Sequence, residues 1–380
     1  MSITGAQQIS FQRFAENVWN NVAPQRLTPM QQHIWIRAAA EALSSIPEVQ
    51  VVTIGSPDQP AALAPLCKSA SGSPRLKLLG AEELGESVEV VYRDPGALDL
   101  LARAIADTGL PVSFGHYPLD SPFIEALRRA YRGRGFVVTK PLAVRGCPHI
   151  VLDESWIEPE RHLSSNRRWD FRRKQRRAAE LGKVTFSILQ PRSTELTALF
   201  EEAIGVEAKG WKGRSATCIT RDRILRRFFQ RYTELACVAG ILRLCFMRID
   251  DKPVAMQLAV ETNDCFWPIK IGYDEDYARC SPGNLLMRET ISYAARNKLK
   301  SFEFLGKSAP WTEIWTQDAR PIAALRTYPL TTAGGEALAF DVAMVGTRWI
   351  SKKWHQHLYA DKPRFKSSSW LLSPSDRTRE

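Results

Sequence analysis

The spacing of apolar and polar positions divides the chain into strands and helices. In "TPMQQHIWIRAAAEALSS", Thr28 and Pro29 form a helix start, and Ile34, Ala38, Ala39 and Leu43 follow at helical spacing. "VQVVTIG" (49–55) is β-branched and predicts a strand, with "AALAPL" as its partner across the "SPDQP" turn. "SVEVVY" (87–92) predicts a further strand. "PGALDLLARAIADTG" opens on Pro95 and closes on Gly109, as a helix does. The strand "PVSFGHYP" and the helix "SPFIEALRRAYRGRG" complete an alternation that predicts an α/β layer.

An irregular stretch, "VRGCPHIVLDESWIEPERHL", leads to a second cycle. Ser164 or Ser165 caps a helix that ends near Gly182, with Phe171, Ala178 and Leu181 as a modest apolar seam. "KVTFSIL" predicts a strand and "STELTALFEEAIGVEAKGW" a helix. "RDRILRRFFQRYTELACVAG" predicts another helix, with Ile224, Phe228, Tyr232 and Leu235 on its apolar side. "ILRLCFMRI", "PVAMQLAVE" and "CFWPIKIGY" predict an antiparallel meander joined by tight turns at "DDK" and "TND". A helix from about Gly283 to Asn297 and a strand "SFEFLG" follow. These cycles predict an N-terminal unit over 1–155 and a C-terminal unit over 156–335. A helix over 336–360, with Leu338, Val342, Val345 and Trp349 on one side for packing, and a tail over 361–380 complete the chain.

Charge adds one feature to this pattern. The formal net charge is +11, and seven of the eleven residues from Arg167 to Arg177 are Arg or Lys. Cations packed this closely along a helix repel one another, which favours an anionic ligand nearby. No zinc-finger spacing, basic zipper or helix-turn-helix surrounds the run, so DNA is not an expected partner. The seven cysteines are scattered without a CxxC pair, as expected of reduced thiols in a cytoplasmic protein. His355 and His357 lack further ligand candidates nearby, so no metal site is expected. No signal peptide is expected at the N-terminus, and no apolar run approaches the length of a membrane span.

Several segments, in order, resemble the GNAT superfamily of acyl-CoA N-acyltransferases, and within it the CelD/BcsL-type branch associated with cellulose and exopolysaccharide gene clusters. They are "RLTPMQQHIWIRAAAEAL", "LKLLGAEELGESVEVVY", "LSSNRRWDFRRKQRRAAELGKVTF", "EAKGWKGRSAT", "GYDEDYARCSPGNLL" and "FEFLGKSAPWTEIWT". The branch is similar to the Fem-type transferases in having two GNAT-like units. The resemblance therefore implies an α/β (α+β) fold of tandem units, each a mixed, largely antiparallel sheet flanked by helices. It implies acetyl-CoA or another acyl-CoA as co-substrate and an amine acceptor, for instance on an amino sugar. It also implies that backbone amides around Arg279, Ser281, Gly283, Asn284 and Leu285 hold the CoA pyrophosphate. The usual R/Q-x-x-G-x-G/A signature is incomplete here: Asn284 and Leu285 stand where a second glycine is expected. Trp311 and Thr312 stand where some relatives carry Tyr-Lys.

Local chemistry agrees with an acyl-transfer reading. Pro282-Gly283-Asn284 opens a helix, and a helix N-terminus favours anions. Transfer to an amine needs a base and N–H donors for the carbonyl oxygen. Asp274 and Glu275 are the candidate bases, and Tyr273 or Tyr277 the candidate acid for the leaving thiolate. Glu207, Trp211, Lys270 and Glu303 are the candidate substrate-binding residues. The basic run 167–177 suits CoA phosphates, an anionic glycan or lipid-phosphate acceptor, or a tRNA. Two other readings stay open: a Fem-like transfer from aminoacyl-tRNA, and a non-catalytic GNAT-like binding protein of a polysaccharide synthase complex.

Overall fold

The apolar runs of the N-terminal part pair as expected. In the computed structural model, which describes residues 6–23, 27–43, 49–69, 73–142, 146–210 and 218–345, they form an antiparallel sheet. Its order is β1 (Ala6–Ser10), β2 (Gln50–Ser56), β3 (Gln59–Lys68) and β4 (Leu76–Leu78), and β5 (Val91–Tyr92) pairs with β3 off this path. β5 is shorter than the strand expected over 87–92. The carbonyl of Val90 accepts from the buried Gln31 side chain at 3.0 Å rather than from a neighbouring strand. Helices α1 (Glu16–Asn20), α2 (His33–Ala42), α3 (Ala81–Leu84), α4 (Pro95–Asp107) and α5 (Pro122–Ala130) flank this part. Asp94 caps α4 by accepting from Ala97 N–H, and Gly109 follows the helix at φ 65, the left-handed conformation a helix end favours.

A second, three-stranded antiparallel sheet has the order β6 (Ser113–Pro118), β15 (Ile322–Pro329) and β7 (Gly135–Pro141). The largest sheet has seven strands in the order β14-β8-β13-β12-β11-β10-β9. They are β8 (Cys147–Val151), β9 (Val184–Leu189), β10 (Leu242–Ile249), β11 (Lys252–Thr262), β12 (Cys265–Tyr273), β13 (Ser301–Glu303) and β14 (Ala319–Arg320). β8 precedes residue 155 yet pairs in the large sheet, and β15 follows the meander yet pairs with β6 and β7. Helices α6 (Ser165–Glu180), α7 (Ser193–Ala208), α8 (Arg223–Val238) and α9 (Pro282–Arg296) cover this sheet, and helix α10 occupies 332–345. The fold is thus mixed α/β, with largely antiparallel sheets flanked by helices.

The meander turns are two-residue hairpins, Asp250-Asp251 at φ 46 and 62 and Asn263-Asp264 at φ 53 and 58. Two successive positive φ angles match the twist of the flanking strands, and Asp and Asn tolerate them better than other side chains. Both faces of the meander are buried. Leu244, Phe246, Met256 and Leu258 join the core beneath α7 and α8, while Cys245, Met247, Ala255 and Ala259 join the core with α6 and α9. The first of these cores continues into the N-terminal part. Trp35 of α2 meets Phe228 and Tyr232 of α8 edge-on at 4.8 and 4.9 Å, and all three are fully buried. Leu181 and Ile224, expected on apolar seams, are exposed because they sit at the ends of α6 and α8.

His33 in α2 is buried with its ring stacked on Phe11 at 4.7 Å, and its Nε2 lies 3.1 Å from the Phe14 carbonyl. Burial lowers its pKa from 6.5 to about 4. The unfolded chain therefore takes up this proton first as pH falls. The stabilisation is full above 6.5 and is lost as pH falls toward 4, at no more than about 1.4 kcal/mol per pH unit. Melting temperatures compared between about pH 7 and about pH 4.5 should fall less in His33→Gln than in the wild-type protein.

Candidate functional site

Among the described residues β12 and β13 are the one parallel pair in the large sheet, joined through α9. They pair at Cys265↔Ser301 and Phe266↔Phe302 only. β13 then turns to β8, with Glu303 opposite His149 and the Phe304 N–H donating to the Pro148 carbonyl at 3.0 Å. Leu305 and Gly306 follow at φ 60 and 61, which bends the chain away from β12. Leu305 is not a glycine, so this conformation costs about 1–2 kcal/mol. β12 meanwhile continues to Tyr273, with a bulge against β11 at Ile269. The two strands thus open into a cavity of about 430 Å³. Its wall includes residues of β12, the start of α9, the end of α7 and 304–307, and Glu86 adds a side from the N-terminal part.

Two glycines bring α7 onto the end of β12. A Cβ on Gly272 would lie 2.8 Å from Glu207 Cα, and one on Gly210 would lie 2.9 Å from the Tyr273 carbonyl oxygen. This close backbone approach sets Glu207 in the cavity wall, where it is fully buried. Its Oε2 accepts from the Ile219 N–H at 3.0 Å, and its Oε1 has no hydrogen-bond partner among the described residues. Gln257 of β11, 2 % exposed, also lines the cavity. Its Nε2 meets Met287 Sδ at 3.6 Å, and its Oε1 has no partner among the described residues. A buried polar atom without a partner costs on the order of 1–3 kcal/mol, so the wall is suited to a polar occupant.

Of the expected site residues, Tyr273, Ser281, Gly283, Asn284, Glu207 and Lys270 meet at this cavity. Lys270 Nζ lies 5.1 Å from the centre of the Phe229 ring. Asp274, Glu275, Tyr277, Arg279, Leu285 and Glu303 are not in its wall. Asp274 is 2 % exposed: Oδ1 accepts from Asp276 N–H at 3.1 Å, and Oδ2, without a hydrogen-bond partner among the described residues, faces Lys209 at 3.5 Å and Lys252 at 3.9 Å. The N–H of Glu275 points to the Lys209 carbonyl, 3.4 Å away. Tyr277 accepts from Lys252 Nζ at 3.2 Å. Glu303 is buried and accepts from Ser301 Oγ at 3.0 Å and Arg320 Nη2 at 2.7 Å. Leu285 packs its side chain in the core, and Trp211 lies outside the described residues.

The start of α9 offers fewer free amides than an ordinary helix. Ser281 takes the left-handed conformation, φ 48, and donates its N–H to Ala278. Pro282 has no N–H, and the amides of Asn284 and Leu285 both donate to the Ser281 carbonyl, at 3.0 and 3.2 Å. Gly283 is left as the amide of this stretch without a partner among the described residues. The Tyr273 ring is 3.5 Å from where a Gly283 Cβ would stand, so a larger side chain there would crowd the cavity.

The basic helix α6 packs beside the segment Glu275–Cys280, whose Ala278 lines the cavity. Part of its charge is used locally. Asp170 pairs with Lys174 at 2.7 Å and Arg173 at 2.6 Å, which together hold its carboxyl below the usual range. Arg168 donates to the Leu163 carbonyl, and Arg177 to the Arg279 carbonyl. Arg167, Arg172 and Arg176 are exposed, without a side-chain partner among the described residues.

All seven cysteines are free. Burial pushes Cys67 and Cys147 up to about 12, which leaves them unreactive thiols near neutral pH. Among the described residues no cluster of three or more His, Cys, Asp or Glu side chains is placed to hold a metal ion, and no helix is long and apolar enough to cross a membrane.

The splayed parallel pair, with a helix N-terminus at its mouth, lies in a part of the chain that is similar to the GNAT acetyltransferases. Residues 165–313 match the family model described as "Acetyltransferase (GNAT) domain". Three solved structures share the fold over most of both chains. The C-terminal domain of a protein designated a lysylphosphatidylglycerol synthetase, from Agrobacterium fabrum, is 13% identical, with a TM-score of 0.53, covering 88% of this chain and 95% of its own. FemX is 11% identical, with a TM-score of 0.54, covering 86% and 98%. A protein of unknown function from Bacteroides thetaiotaomicron is 11% identical, with a TM-score of 0.53, covering 85% and 98%. No curated protein matches the sequence.

Proposed function

We propose that the protein is an N-acyltransferase that moves an acyl group from acyl-CoA, acetyl-CoA in the first instance, to an amine. The supporting observation is Glu207, a fully buried carboxylate in the wall of the cavity between β12 and β13, with one oxygen unpartnered among the described residues. In this reading the amine nitrogen attacks the thioester carbonyl carbon as Glu207 takes a proton from it, directly or through water. The C–S bond then breaks, and the thiolate takes a proton from Tyr273. The products are an amide and a free thiol. Lys270 and the Gly283 N–H present positive charge to the acyl oxygen and the donor's phosphates. Asp274 is then a structural carboxylate rather than the base. In this reading the acceptor belongs to exopolysaccharide, cellulose or cell-envelope biosynthesis in the cytoplasm, which the sequence resemblance to the CelD/BcsL-type branch supports.

A second reading keeps the site and changes the donor to an aminoacyl-tRNA. It is favoured by the exposed Arg167, Arg172 and Arg176 of α6, beside the segment that forms the cavity mouth, and by the fold shared with FemX. Thermal denaturation with free CoA, acetyl-CoA and longer acyl-CoAs separates the two. A ligand of the folded state raises the midpoint by mass action. Acetyl-CoA is expected to raise it in the wild-type protein and to leave Gly283→Leu unmoved. No rise with any CoA compound, together with tRNA binding that weakens steeply with salt, selects the second reading.

A further inference from the structure

Two buried acceptors line the cavity, and the transfer step uses one of them, Glu207. Glu207 approaches from the side of α7. Gly272, against which it packs, pairs with Met256, whose side chain joins the core beneath α7 and α8. Gln257 follows Met256 in β11 and so points to the other side, where Ala255 and Ala259 join the core with α6 and α9. The β11–β12 pair lies between the two acceptors, so the amine held at Glu207 leaves Gln257 for another group.

The neighbour of Gln257 sets what it offers. Met287 Sδ, 3.6 Å from Nε2, has no hydrogen to give, so the amide turns its N–H to the sulfur. Oε1 is left, an acceptor without a partner among the described residues. The cavity wall around it is apolar: Ile271 opposite it on β12, Met287 one helical turn past Gly283, and Phe304. Tyr273 and Gly283 stand toward the mouth, and Ile271 lies two residues further in along β12. In the acyl-CoA reading the donor's phosphates lie at the mouth, and its acyl group, at the opposite end of the molecule, lies inward. A plain alkyl group there matches the apolar wall but leaves Oε1 buried and unpaired, which is unfavourable.

We propose that Gln257 selects a donor whose acyl group carries a hydrogen-bond donor of its own, a hydroxyl or an amino group, over one with a plain acyl group. This donor class rests on the acyl-transfer reading and narrows it to hydroxyacyl or aminoacyl groups, with acetyl as a small group that the site admits without pairing Gln257. A site that hydrogen-bonds a substrate group discriminates strongly against the analogue lacking it, because the buried partner is then left unpaired. Chain length alone, read by an apolar wall, separates substrates less well.

The test is calorimetric binding, to the full-length protein, of CoA thioesters matched in carbon skeleton: propionyl-, lactoyl- and alanyl-CoA, and butyryl- against 3-hydroxybutyryl-CoA. A hydroxyacyl or aminoacyl member is expected to bind about tenfold more tightly than its plain counterpart. Which member leads separates the hydroxyl from the amine. In Gln257→Met, an apolar side chain of similar length, the preference should vanish. Affinity for propionyl- and butyryl-CoA should hold or rise there, and the melting temperature should not fall. Equal affinities within both sets in the wild-type protein overturn the proposal and leave the acyl-CoA reading standing. A preference that survives Gln257→Met also overturns it. If neither free CoA nor any thioester binds, the acyl-CoA reading fails and the proposal with it. The wild-type comparison needs no variant, so it decides the matter even where Gln257→Met does not fold.

Discussion

Glu207→Gln is expected to lower the rate of acyl transfer by about 10²–10⁴-fold, the usual range for loss of a positioned general base. Donor binding and melting temperature should change little. The substitution keeps the shape of the side chain, and an amide oxygen can still accept from the Ile219 N–H. Asp274→Asn is the instructive comparison. Its carboxylate is turned toward Lys209, Lys252 and its own turn, so its loss should appear in stability before rate. Single-turnover rates and thermal melts of both variants check this pair of outcomes. A rate lost in Asp274→Asn and kept in Glu207→Gln would return the base to the acidic turn.

Gly272→Val has the largest expected structural effect at the site. Its Cβ would stand 2.8 Å from Glu207 Cα and 3.1 Å from Glu207 Cβ, inside normal contact. The obstacle is largely backbone, so neither neighbour can yield by changing rotamer. β12 and α7 must separate, at a cost of about 1–3 kcal/mol for an overpacked interior. The same movement draws Glu207 out of the cavity wall, so activity should fall further than stability alone explains. Denaturant midpoints and transfer rates measured on one preparation separate the two losses.

Much of the framework was legible in the sequence because local rules and tertiary packing agree there. The β-branched runs of β2 and β3, and the meander with its Asp-Asp and Asn-Asp turns, needed no distant information. The capped helices α4 and α6 follow the same logic. β7 and β8 were not legible. β8 is a five-residue strand with Pro148 inside it, and its pairing partners lie some 150 residues ahead. The parallel contact of β12 with β13 has no local signal, and that contact makes the cavity.

The site itself was half legible. Tyr273, Ser281, Gly283, Asn284, Glu207 and Lys270 were singled out and do meet at the cavity. The density of acids in "YDEDY" points to Asp274 and Glu275, but the fold leaves both out of the cavity wall, with Asp274 Oδ1 taken by the Asp276 N–H of its own turn. Gln257 was passed over although it carried a signal: a lone polar residue in the apolar run "VAMQLAV", in a strand buried on both faces. Such a residue needs a reason to be buried, and the cavity supplies one. Of the stripe expected along a helix over 336–360, Leu338, Val342 and Val345 lie in α10 and are exposed, and Trp349 lies outside the described residues.

The most direct test of the central claim is amide hydrogen exchange of the full-length protein with and without saturating acetyl-CoA. Slowed exchange is expected in 268–273, 281–285 and 304–307, which line or adjoin the cavity between β12 and β13. It should be absent from the second cleft, formed by Phe11, Phe14, His33 and Glu41. Protection confined to that second cleft, or none at any of these segments despite saturating ligand, would contradict an acyl-CoA site between the splayed strands.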